Sequence, residues 1–69
     1  MTTKTAIVSI EDLTDTAATE LAEAFRGSPG VTEVEFSVER QVAVIEFDPT
    51  VTNVEALMRI VLGKGFKIP

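Results

Sequence analysis

The chain contains no cysteine and no histidine. Disulfides, thiolate nucleophiles, Cys/His zinc sites and imidazole acid–base catalysis are therefore excluded, since each needs one of those side chains. No stretch approaches the roughly 20 consecutive apolar residues of a membrane span, so no membrane insertion by this chain is expected. Residues 1–10 lack the long apolar segment and cleavage site of a signal peptide, and a cytoplasmic setting, or a cytosolic domain of a membrane protein, is expected. Positive charge is scarce: six Lys and Arg against eleven Asp and Glu leave a net charge of −5. That sign argues against a nucleic-acid backbone or an anionic membrane as partner and suits a basic protein surface or a cation.

What is present describes one small folded domain over residues 1–69. Hydrophobic content of 45% with 25% charged residues is that of a globular chain. A chain of this length buries only about 60% of its unfolded surface, enough for a thin core and not for a deep cavern. The organising stretch is residues 29–49, two strands around a short polar turn. In residues 31–38, Val34, Phe36 and Val38 alternate with Glu33, Glu35 and Ser37, a period of two that gives one buried and one wet face. Glu39 and Arg40 form the turn, and residues 41–47 the second strand. There Ala43, Ile45 and Phe47 share one face, leaving Val42, Val44 and Glu46 on the other. With Phe47 in the core, Val42 and Val44 fall on the open face of the sheet, where a partner would find them.

A β-branched run over residues 5–10 predicts a first strand with Val8 and Ile10 on its core face. Residues 11–16 break that pattern with three carboxylates and two threonines. They form a loop, with Asp15 or Thr16 as cap of a helix over residues 17–26. Ala18, Leu21, Ala22 and Phe25 give this helix an apolar stripe. Gly27 through Gly30 then end it, with glycine supplying a left-handed cap. Thr52 and Glu55 have the spacing of a capping box, so a second helix starts at Asn53 with Val54, Leu57, Met58 and Val61 as its stripe. Gly63 and Gly65 stop it, and Phe66 and Ile68 form a short last strand. The order β-α-β-β-α-β predicts an α+β, ferredoxin-like sandwich: a four-stranded antiparallel sheet with two helices on one face.

These residues resemble a known family, the heavy-metal-associated domains of copper chaperones, mercury-binding periplasmic proteins and metal-transporting P-type ATPases. The resemblance spans essentially the whole chain. It rests on Pro29-Gly30-Val31 followed by Val34, Phe36 and Val38, on Ile45-Glu46-Phe47-Asp48-Pro49, and on Val54, Leu57 and Val61 spaced ahead of Gly65-Phe66. The family's chemistry resides in a Gly-Met-x-Cys-x-x-Cys loop, whose two thiolates hold a soft cation such as Cu(I). Here that motif is missing. Counting back from Gly30 puts the cysteine positions at Thr14 and Ala17. Counting forward from the first strand lays Asp12-Leu13-Thr14-Asp15 on Gly-Met-x-Cys and puts them at Asp15 and Ala18, the preferred count. Either way one position is an alanine with no donor atom, and soft-metal transfer by the family's mechanism is lost.

Glu11, Asp12 and Asp15 remain as candidate metal ligands, since carboxylates bind a harder divalent metal ion such as Mg²⁺, Ca²⁺, Mn²⁺ or Fe²⁺. The plainer reading makes Asp15 a helix cap, and Glu11 and Asp12 solvated residues near a positive helix end. Leu13, Thr14 and Phe66, with Val42 and Val44, are candidates for an interaction surface; Leu13 and Phe66 also suit the core. Glu33, Glu35 and Glu46 are either a solvated face or an acidic patch for a basic partner. No nucleophile–base pair and no phosphate-cradling loop is present, so an enzyme is not expected. The resemblance implies a docking or regulatory module of a metal-trafficking system. Its partner would be a transporter domain or a metallochaperone, and the chain a monomer or weak homodimer. The alternatives are a carboxylate metal-binding domain and an assembly or small-ligand module.

Overall fold

The computed structural model describes residues 2–69. The elements are β1 (Lys4–Ser9), α1 (Asp15–Arg26), β2 (Val31–Ser37), β3 (Val42–Phe47) and α2 (Val54–Gly63). The sheet has the order β1-β3-β2, and both pairings are antiparallel. β3 is thus the central strand, with Ile45 lying between Ala6 and Val34. The strands alternate as expected: Ala6, Val8, Ala43, Ile45 and Phe47 are buried and their neighbours are not. On β2 the alternation slips between Val31 and Glu33, where Thr32 is an extra residue in a bulge. Its hydroxyl donates to the Glu46 carbonyl at 3.1 Å, which ties the bulge to β3.

The core lies between the sheet and the two helices. Leu21 and Phe25 from α1 and Leu57 and Val61 from α2 are fully buried with Ile45. Burying such side chains contributes about 1.5–3 kcal/mol each. Phe25 also meets the half-buried Phe36 of β2, with ring centroids 6.4 Å apart and planes tilted by 40°.

Several boundaries differ from expectation. α1 begins at Asp15 rather than residue 17, because Thr14 is its N-cap: extended at φ −119°, it accepts from the Ala17 amide at 3.1 Å. Asp15 therefore occupies the first helical turn, where a carboxylate complements the helix dipole. The capping box does not form. The Thr52 and Val51 amides are engaged by the Asp48 carbonyl, so Asn53 caps α2 instead and accepts from Ala56 at 2.9 Å. Glu55 turns outward to Arg59, 2.6 Å away one helical turn on. Gly27 ends α1 with ordinary right-handed geometry; the left-handed glycine is Gly30, at φ +88°. A side chain at Gly30 would also come within 2.9 Å of the Val51 Cβ, so the turn into β2 requires glycine.

The expected fourth strand is the main correction. The sheet has three strands, and residues 66–69 follow no ladder. One backbone hydrogen bond, from the Glu11 amide to the Lys67 carbonyl at 2.9 Å, joins this segment to the first loop. The Phe66 amide bonds back to Val61 in α2 rather than across to β1. Phe66 and Ile68 still pack against the core, so the segment covers the core edge without extending the sheet.

Candidate functional site

The first loop leaves β1 at Ile10 and enters α1 at Thr14. Its two ends are anchored by apolar burial, Ile10 at 1% exposure and Leu13 at 2%. Between them Glu11 and Asp12 are exposed. Asp12 has φ +56°, a left-handed conformation that aspartate tolerates better than most side chains.

The loop is held by a residue distant in sequence, just ahead of the neighbouring strand β3. Gln41 closes the β2–β3 turn at φ +58° and points its side-chain amide at Leu13. Its Oε1 accepts from the Leu13 amide at 2.8 Å, and its Nε2 donates to the Leu13 carbonyl at 2.6 Å. The same Nε2 donates to the Val38 carbonyl at 2.8 Å, and the Gln41 carbonyl accepts from Ile10 at 2.8 Å. One side chain thus satisfies both backbone groups of a buried loop residue, 28 positions away in the chain. No local pattern in the sequence marks Gln41 for this role.

The proposed carboxylate ligands do not converge. Among the described residues no group of three Asp or Glu is close enough to hold a metal ion. Asp15 is carried into α1, away from its neighbours in sequence. Glu11 and Asp12 share one hollow with Phe66 and Lys67, and a second with Arg40 and Gln41. Each hollow already contains a cationic side chain, which would repel a metal ion from the pair. The divalent-metal reading of Glu11, Asp12 and Asp15 is therefore not supported by the geometry.

The interaction candidates fare unevenly. Leu13 is core: at 2% exposure it is no part of an accessible rim. Thr14 is exposed, but its hydroxyl is used in capping α1. Phe66 is half-buried against the core beside the first loop. Val42 and Val44 lie on the open face as expected and are half-buried there. Ile7, 70% exposed on the same face and opposite Val44, joins them there. The alternation that buries Ala6 and Val8 carries the signal for it.

Several solved structures share this arrangement. Oxidized MerP from Ralstonia metallidurans CH34 matches with a TM-score of 0.88 at 25% identity, over 99% of this chain and 96% of that one. The chain has the heavy-metal-associated fold. The N-terminal domain of a potential copper-translocating P-type ATPase from Bacillus subtilis, solved in its Cu(I)-loaded state, matches at 24% identity and a TM-score of 0.88, covering 97% of this chain and 85% of that one. The CsoZ metallochaperone matches at 14% identity and a TM-score of 0.87, with 99% of each chain covered. No family model matches the chain, and no curated protein does.

Within this heavy-metal-associated fold, the backbone favours one of the two counts through the loop. Asp12 is the left-handed residue, the conformation glycine adopts most readily, and the second count lays it on the family's glycine. That count also lays the buried Leu13 on the methionine and the thiolate positions on Asp15 and Ala18. Ala18 is half-buried against the core and has no donor atom. The donor set does not fit a soft metal ion, which prefers sulfur ligands.

Proposed function

We propose that the chain is a non-catalytic domain of a metal-ion trafficking system that acts by docking to, or regulating, a protein partner, with soft-metal binding lost. The observation that supports this most strongly is the first loop itself. The heavy-metal-associated fold surrounds it, yet the chain has no cysteine, and the preferred count lays the thiolate positions on Asp15 and Ala18. The partner of such a domain is a transporter's metal-handling domain or a metallochaperone, the kinds of protein among its structural neighbours. The warrant for that partner class is the shared fold.

Cu(I) titration against a competing chelator tests the reading. The wild-type chain should take up no Cu(I), and the Asp15→Cys/Ala18→Cys double variant should bind one equivalent. Uptake by the wild type would overturn the proposed loss of metal binding. Failure of a folded double variant would overturn the assignment of the two positions.

A further inference from the structure

Among the described residues no helix or strand packs over the sheet face opposite the helices. Strand register arranges its side chains in three rows across β1, β3 and β2: Thr5, Glu46 and Glu33; Ile7, Val44 and Glu35; Ser9, Val42 and Ser37. The first row sets two carboxylates directly opposite one another. Like charges in that position destabilise a strand pair. The carboxyl of Glu33 is held above the usual glutamate range by its hydrogen bond and repulsion with Glu46. Among the described residues neither carboxylate is in an ion pair, and Arg26 of α1 shares a hollow with Glu33 but not with Glu46. Lys4 is in register with Phe47 and so falls on the helix-side parity of β1, and Arg40 lies in the β2–β3 turn. Among the described residues the ion pair is Arg59 with Glu55, on α2.

The second row adds an apolar element. Ile7 is 70% exposed and sits against Val44, and Thr5, Val44 and the three glutamates line one shallow hollow. A single exposed isoleucine needs no explanation. An isoleucine–valine pair beside two opposed carboxylates is a different surface, because one occupant resolves both features. A cationic group between Glu33 and Glu46 removes the repulsion, and an apolar side chain on the next row covers Ile7 and Val44.

We propose that the open face of the sheet is a docking surface for an extended segment of a partner protein carrying Arg or Lys two residues from an apolar side chain. Rows repeat every second residue, roughly 7 Å along a strand, so residues i and i+2 of an extended segment match adjacent rows. A guanidinium suits the first row, since its planar fork reaches two carboxylates at once. A second copy of this chain is a poor occupant. A twofold pairing through this face would bring six glutamates together without a cation. The surface lies across the sheet from the helices, and the proposal holds whether or not the thiolate positions bind metal.

NMR titration with a blocked Arg-Ser-Leu-Ser-Arg peptide tests it, with Glu-Ser-Leu-Ser-Glu as control. Saturable shifts are expected at Ile7, Val44, Glu33, Glu35 and Glu46 with the basic peptide only. Glu46→Gln and Ile7→Ser should each weaken binding at least fivefold, and Glu46→Gln should raise the thermal midpoint of the free domain. Equal response to both peptides, shifts centred on the first loop, or unchanged affinity in both folded variants would overturn the proposal. So would concentration-dependent dimerisation that broadens the same signals without peptide, since the occupant would then be a second copy.

Discussion

The first loop and the open sheet face differ in how completely their polar groups are answered. In the loop, Gln41 occupies both backbone groups of Leu13, Thr14 caps α1 and the Glu11 amide reaches Lys67. On the open face, Glu33 and Glu46 oppose each other, and among the described residues neither is in an ion pair. The region that carries metal chemistry in the resembled family is here a hydrogen-bonded structural joint. The open sheet face holds the opposed carboxylates. Interaction energy remains available to a partner where the free domain leaves groups unanswered.

The largest expected effect comes from breaking the joint. Leu13→Ala should cost about 2–4 kcal/mol, because the side chain is buried at a point that cannot collapse without moving the loop. Urea unfolding measures this, and a loss under 1 kcal/mol would show that the loop is not anchored by burial. Gln41→Ala comes next. It strips the Leu13 amide and carbonyl of partners in a part-buried setting, at a cost of roughly 1–3 kcal/mol. It should also speed hydrogen exchange at Leu13, while exchange at Ile45 should rise only with global destabilisation.

The smallest effect lies on the open face, and its sign is opposite. Glu33→Gln should raise the thermal midpoint slightly at neutral pH. The sign follows from linkage: the folded-state carboxyl of Glu33 titrates above its unfolded value. Its contribution is full below roughly pH 4, the usual glutamate range, and is lost as pH rises through the higher folded value. Asp48 runs the other way. Hydrogen bonds from the Thr50 hydroxyl and amide lower its value, so its contribution is present above the usual aspartate range and lost on acidification. Stability curves against pH should differ between wild type and Glu33→Gln on the rising side of that window and coincide in the acid limb.

Much of this architecture was legible because it depends on short-range pattern. The alternation in β2 and β3 located the core face, and the i, i+3, i+4 spacing located both helices. The misses came where tertiary contacts chose between local options. Thr52 has the right spacing to cap α2, but Asp48 engages its amide first. Phe66 and Ile68 alternate like a strand, yet the Phe66 amide is bound to Val61, and pairing with β1 never develops. At the loop, the missing cysteines were plain from composition. The three carboxylates looked like a cluster because they are near in sequence, and the start of α1 at Asp15 separates them. Gln41 was invisible because a side-chain clasp across 28 positions leaves no periodic trace.

The strand order has a kinetic consequence. β3 is central in space but follows β1, α1 and β2 in the chain. Its partner β2 is joined to it by a tight turn, whereas pairing with β1 must bring Ser9 to Val42 and Lys4 to Phe47. Closing the longer loop carries the larger entropy cost, and hairpins form within about 1–10 μs. The hairpin can therefore zip early, while docking of β1 carries the larger closure cost. The Gln41 clasp spans this longer closure, since it joins the loop after β1 to the β2–β3 turn. On a ribosome, β1 emerges before the strand that will hold it and must wait until β3, through Phe47, has emerged.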